Sequence, residues 1–341
     1  MAAPVLLHHP ASLEHDTGMH PESAARIVAI QRELDRRDGA GWERREAERA
    51  PREALLRVHP ERHLLGVEEI VLAGGGSIDM DTVVSEGSWE AALRSAGGAV
   101  EVVDLLLNGD APAAASAQRP PGHHCEAARP MGFCLLNNVA IGARHALAAH
   151  GLSRVMIIDW DVHHGNGTND IFHADSDVLF VSLHQWPLYP GTGGAEDIGS
   201  GLGLGHTVNL PLPPGSGDDA WVSHVEHVVR PLGAVYRPEL ILISAGYDAH
   251  RDDPLADCRV SDHGYAQMAA SVRALGADVG APVGLVLEGG YDVEALARSF
   301  ADTLEVLGAP EAPAAPALAC DPLAGQALRR VAELWPALAG V

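Results

Sequence analysis

Short apolar runs alternate with longer amphipathic stretches along most of the chain. Runs of this length, flanked by Gly, Pro and Asp, predict strands over 4–9, 113–118, 154–159, 177–184, 206–212, 239–246 and 282–290. Between them, apolar residues recur at helical spacing and predict helices near 21–37, 60–73, 88–108, 136–150, 218–236, 262–277 and 292–307. The helix at 88–108 is expected to begin after Ser88 and to stop at Asn108-Gly109. Strands that are apolar nearly throughout, separated by helices, imply an α/β fold with a parallel sheet covered on both faces. The glycine-rich pieces 74–76 and 191–194 lack the strand–turn–helix setting of a phosphate loop and read as turns. One domain is expected over 1–308. Residues 309–320 are Ala/Pro-rich and read as a connector. The segment 321–341 reads as a C-terminal helix packing back on the body through Leu323, Leu328, Val331, Leu334 and Leu338.

Composition narrows the field. Of 341 residues, 47% are hydrophobic, enough for a sizeable core. The 23 basic residues are all arginine and face 46 acidic ones, a formal charge of −23. An acidic surface of this strength argues against a nucleic-acid partner, which needs a positive footprint. No run approaches the ~18 apolar residues of a membrane-spanning helix. Cys125, Cys134, Cys258 and Cys320 form no C-x-x-C pair and suit a reducing compartment, so a cytoplasmic protein is expected.

The candidate chemistry lies in where the polar clusters fall. The 154–159 strand ends in Asp159 and runs into Asp161-Val162-His163-His164. The 177–184 strand ends in His184, the 239–246 strand precedes Tyr247-Asp248-Ala249-His250, and the last strand leads to Glu288-Gly289-Gly290-Tyr291. Gly122-His123-His124 follows the 113–118 strand. Any one of these alone is an ordinary cap or turn. Parallel α/β sheets, however, bind ligands beyond the carboxyl ends of their strands, so all five would gather on one rim. Asp161, His163 and Asp248 then make a mononuclear metal site with an open position, suited to Zn²⁺. Two carboxylates formally neutralise such an ion and acidify water less than three imidazoles would. The site therefore needs its own base, which the His123-His124 pair can supply. Asp159 and Asn166 are placed to orient those rings, and Tyr291 can donate to a developing oxyanion. His184 and His250 are possible pocket liners; His8, His9, His145, His150, His173, His206, His224 and His227 read as surface or packing residues.

The segments "HPESAARIVAI", "RPPGHHCEAARPMGFCLLNNVAIGA", "IIDWDVHHGNGT", "SLHQWPLYPGTG", "SAGYDAHRDDPLA" and "LEGGYD" resemble the zinc-dependent histone deacetylase family, in its class II-like, bacterial deacetylase and acetylpolyamine amidohydrolase branch. The resemblance runs from about Val5 to Gly308. It implies the three-layer arginase–deacetylase fold with an eight-stranded parallel sheet flanked by helices, one strand more than the pattern predicts. It also implies an amidohydrolase that removes an acetyl or short acyl group from an N-acetylated amine, either a peptide such as acetyl-lysine or a small molecule such as an acetylpolyamine. On the matching positions, Asp161, His163 and Asp248 resemble the ligands of Zn²⁺, with Fe²⁺ open as the cellular metal. His124 resembles the general base and acid, His123 its electrostatic partner and Tyr291 the oxyanion donor. Gly132 and Phe133 resemble one wall of the acyl-lysine tunnel, with Leu188 or Tyr189 near the other wall. Leu255 falls where polyamine-selective relatives can carry an acidic gatekeeper. Asp159, Asp161, His163, Ser182 and Leu183 resemble the ligands of a structural K⁺. Asn166 stands where some members have Asp.

Two rivals are weaker. A dimanganese arginase-like ureohydrolase needs bridging carboxylates where this chain has Gly165, Gly246 and His250. A catalytically silent acetyl binder would have no use for the complete set of ligands, bases and tyrosine.

Overall fold

The computed structural model describes residues 2–339. The strands are β1 (Val5–His8), β2 (Glu43–Glu46), β3 (Gly76–Ser77), β4 (Val83–Val84), β5 (Ala114–Ser116), β6 (Val155–Asp159), β7 (Val178–Gln185), β8 (Thr207–Leu212), β9 (Leu240–Ala245) and β10 (Val283–Leu287). Eight of them form one sheet in the order β2-β1-β5-β10-β9-β6-β7-β8. Every pairing in it is parallel. The seven strands expected from the pattern are all present. The eighth is β2, whose sequence Glu-Arg-Arg-Glu carries no apolar residue; it lies at the sheet edge, mostly exposed. Charge on an edge strand blocks pairing with another chain, and it also removes the alternation by which a strand is read.

The central strands are apolar throughout because both faces are covered. Met156, Ile158, Ile241 and Ile243 belong to one core cluster, and Val155, Ile157, Leu240 and Leu242 to the other. Successive side chains point to opposite faces. Each such side chain contributes roughly 1.5–3 kcal/mol on full burial.

Some local expectations need correction. Ser88 is the first residue of the helix Ser88–Leu107 rather than its cap, and its hydroxyl accepts from Ser85 N at 2.7 Å. The 218–236 helix is three pieces, Asp218–His224, a π-helical turn Val225–Val229, and Arg230–Tyr236. Gly76 is not only a turn residue: β3 and β4 make a small antiparallel hairpin whose loop carries Asp79 and Asp81. The helix Pro322–Leu334 buries Ala324, Ala327 and Val331, with Leu338 beyond it, whereas Leu323 and Leu334 are more than a third exposed. Its contact face is therefore rotated toward the alanines.

Candidate active site

The five central strands β5, β10, β9, β6 and β7 are neighbours, and their carboxyl ends deliver the polar clusters to one rim. Asp161 and His163 sit on the turn after β6. Asp161 is fixed by its own N–H, which donates to Asp159 Oδ1 (3.1 Å), and by Gly289 N, which donates to Asp161 Oδ2 (2.8 Å). Asp248, after β9, accepts from Val162 N at 2.8 Å. His163 Nδ1 lies 3.1 Å from both Asp161 Oδ1 and Asp248 Oδ2. All three side chains are buried, and one ligand atom from each falls within 4.8 Å of the others.

Two glycines make this approach possible. A Cβ on Gly246 would stand 2.1 Å from Asp161 Oδ2, and one on Gly289 would stand 2.3 Å from Asp248 Oδ2. Neither turn can carry a side chain without displacing a carboxylate.

The donor set fits a divalent cation. Burial alone would strip the proton from His163, yet its bonds to Asp161 and Asp248 push its pKa up to about 10. A proton on one ring nitrogen is thus shared between two carboxylates that both need positive charge. An ion between the three atoms would satisfy them together, and two oxygens with one imidazole suit a borderline metal.

The histidine pair is split by its surroundings. His123 Nδ1 donates to Asp159 Oδ2 at 3.0 Å. Burial opposes a charged ring there, but Asp161 and Asp159 outweigh it and lift His123 to about 10. Its neighbour is stacked obliquely at 4.0 Å between ring centroids. Burial, then His123 and His163, hold His124 well below the ordinary imidazole range. His124 Nδ1 donates to Asn166 Oδ1 at 2.8 Å, and Asn166 in turn donates to Glu126 Oε1 at 3.2 Å. Asn166 opens the short helix Asn166–Phe172, which the apolar pattern does not predict. Burial also keeps Tyr291 protonated, well above the usual phenol range.

A 220 Å³ cavity opens onto this centre, lined by Asp81, His124, Gly132, Phe133, His163, Leu188, Tyr189, Leu255 and Tyr291. Tyr189 meets His124 edge-on at 5.1 Å, and Phe133 meets Tyr291 edge-on at 5.8 Å. Leu188 and Tyr189 both take part in the wall. Ser182 pairs in register with Asp159, and Ser182 and Leu183 are fully buried beside β6. The two rim histidines lie elsewhere. His184 is buried against Gly193 O at 2.8 Å, and His250 lies 3.3 Å from Asp262.

Sequence reasoning gave several supporting residues no role. Glu288 is buried, with Oε2 accepting from Gly122 N (2.6 Å) and His123 N (3.1 Å) and Oε1 from Ser244 (2.9 Å), so it anchors the histidine loop. Its position at a strand end was the one visible signal. Arg26 donates to Gly290 O at 2.7 Å and to Glu288 O, holding the turn that carries Tyr291. Arg26 and Arg119 are both buried on Glu22. Asp81 reaches the cavity from the loop of the β3–β4 hairpin, whose strands are only two residues each, too short to read as a pattern.

The family model described as "Histone deacetylase domain" matches residues 20–307. The chain is 40% identical over 320 residues to "Histone deacetylase 14, chloroplastic" of Arabidopsis thaliana, covering 87% of this chain and 75% of that one. It is 39% identical over 295 residues to a "Probable deacetylase" of Archaeoglobus fulgidus, covering 85% and 81%. It is 44% identical over 249 residues to a "Histone deacetylase-like amidohydrolase" of Pseudomonas aeruginosa, covering 72% and 66%. The crystal structure of the HDA15 HD domain superposes with a TM-score of 0.91 at 33% identity, covering 99% of this chain and 97% of that one. With the expected eight-stranded sheet present and likeness of this extent in sequence and in shape, the chain belongs to the histone deacetylase family and is a hydrolase of the deacetylase kind.

Proposed function

We propose that the chain hydrolyses the acetyl amide of an acetyl-lysine side chain, with Zn²⁺ held by Asp161, His163 and Asp248. The observation that carries this reading is a single cavity lined by His163, His124 and Tyr291 together. When bound, the ion supplies Lewis acidity toward the amide carbonyl and the attacking water. Because Nδ1 of His124 donates to Asn166, the other nitrogen of a neutral ring is a free lone pair at the cavity. His124 Nε2 takes the proton of the attacking water and returns it to the leaving amine. His123, charged beside Asp159, steadies the negative charge that builds up. Tyr291 keeps its proton and donates its O–H to the oxyanion. Phe133, Leu188, Tyr189 and Leu255 give the cavity an apolar collar that suits the methylene chain of lysine, with Asp81 the carboxylate in its lining. Buried Asp159 and Asp161, with His163, Ser182 and Leu183, support a structural K⁺ site at the ends of β6 and β7. The free thiols support a reducing compartment, the cytoplasm.

The test is a rate panel of acetyl-lysine peptides, longer acyl-lysines and acetylpolyamines, with metal content measured on the same sample. Acetyl-lysine peptides should be cleaved fastest. Tyr291→Phe should lose about 10²–10³ in kcat while keeping its metal. A zinc-loaded wild type that releases no acetate from any peptide, or a Tyr291→Phe variant of full activity, would overturn the proposal.

A further inference from the structure

Among the described residues, two other groups of metal-ligating side chains stand outside the catalytic centre, and they differ in character. His59, His63 and Cys125 are buried, and their polar atoms are spent on backbone. His59 Nδ1 donates to Ala127 O (3.0 Å) and its Nε2 accepts from Asn137 N (2.9 Å), while His63 Nε2 donates to Leu135 O (2.9 Å). That trio is a closed hydrogen-bonded brace.

The other group is open. Asp104 lies on the helix Ser88–Leu107. His145 lies on the helix Asn138–Ala149, and His150 caps its carboxyl end. Both imidazoles converge on one oxygen: His145 Nε2 and His150 Nε2 each lie 2.7 Å from Asp104 Oδ1. The side chains are 11%, 19% and 39% exposed for His145, His150 and Asp104, so an ion can reach them from solvent. From these observations we propose a second divalent-metal site, formed by Asp104, His145 and His150, for a borderline transition ion such as Zn²⁺.

The donor chemistry selects that class. Two imidazole nitrogens and one carboxylate suit Zn²⁺, Ni²⁺ or Cu²⁺, whereas Mg²⁺ and Ca²⁺ prefer all-oxygen sites. The geometry needs little change. Bonds of ~2.0–2.1 Å at tetrahedral angles put neighbouring donor atoms about 3.3 Å apart, so the carboxylate must draw back from each ring by about 0.6 Å. One local contact opposes the ion. Arg57 Nη1 lies 3.3 Å from His145 Nδ1 and favours the tautomer with the proton on Nε2, the nitrogen the ion needs. Arg57 is 27% exposed and can swing away.

Position gives the site its consequence. The helix Asn138–Ala149 is capped at its amino end by Asn137, whose side chain donates to Cys125 O (3.1 Å), directly beyond His124. His150 lies about 20 Å along the helix from that end, at 1.5 Å per residue. An ion there joins two packed helices and steadies the one that braces the histidine loop, without entering the catalytic cavity.

The full chain carrying its catalytic metal is titrated with buffered Zn²⁺, and bound metal per chain and melting temperature are read together. The wild type should take up a second equivalent and melt higher as it does. His150→Ala and Asp104→Asn should each weaken that uptake at least about tenfold and abolish the added melting shift, with deacetylase activity of the singly loaded protein unchanged. Arg57→Ala should tighten it. The site is refuted if no second equivalent binds by 100 µM free Zn²⁺ (a ceiling of about 10⁻⁴ M in Kd). It is equally refuted if His150→Ala and Asp104→Asn bind it as the wild type does.

Discussion

Glu22→Gln tests the charged scaffold behind the active site. Glu22 is fully buried between two buried guanidinium groups. Arg119 donates through Nε to Oε1 (2.5 Å) and through Nη2 to Oε2 (2.7 Å), and Arg26 donates through Nη1 to Oε1 (3.1 Å). His15 lies 3.6 Å from Oε2, but burial pushes it down to about 4, so it is neutral at pH 7. Burial on its own would raise the Glu22 carboxyl; Arg119 and then Arg26 overcome it and hold it at about 2 rather than 4.5. That difference is worth roughly 3 kcal/mol to the folded state at neutral pH. Removing one partner of a buried ion pair costs a similar amount, about 3–5 kcal/mol. With an unfolding entropy of ~2.1 cal/mol/K per residue over this length, the variant should melt about 4 °C lower at pH 7. The sign with pH is fixed. A carboxyl whose pKa is depressed by folding stabilises fully above its unfolded value and loses that contribution as pH falls from 4.5 through about 2. The gap between wild type and variant should therefore close across this window. Thermal and urea melts at pH 7, 5, 4 and 3 measure it. Equal melting at pH 7, or a gap that persists unchanged at pH 3, would refute the reasoning.

Gly246→Ala should cost at least about tenfold in metal affinity, since its Cβ falls 2.1 Å from Asp161 Oδ2, and competition against a coloured chelator reads this directly. An alanine variant that holds its metal as tightly as the wild type would show that the turn has room the geometry denies. Asn166→Ala removes the acceptor that fixes the His124 tautomer and should lower kcat/KM by about 10²-fold, with KM little changed. If steady-state kinetics show an effect confined to KM, Asn166 acts on substrate binding instead.

The sequence by itself determined the parallel sheet and the rim. Unbroken apolar runs such as 155–158 can exist only where both faces are covered, and a polar residue that ends such a run must lie at the strand's end. Asp161, His163, Asp248, the histidine pair and Tyr291 were legible for that reason, because their placement follows from chain order alone. Edge strand β2 was not legible, because an exposed edge imposes no hydrophobic pattern on Glu43–Glu46. Only the tertiary structure brought Glu22 between Arg26 and Arg119, set Glu288 under the histidine loop, and carried Asp81 to the cavity. Only it turned His145 and His150, which read as packing residues, toward Asp104. A buried charge is stable when a partner lies within hydrogen-bond reach, and such partners come from elements up to a hundred or more residues away. Local sequence encodes which segments are buried; the pairing of charges between segments exists only once the sheet and its helices have assembled.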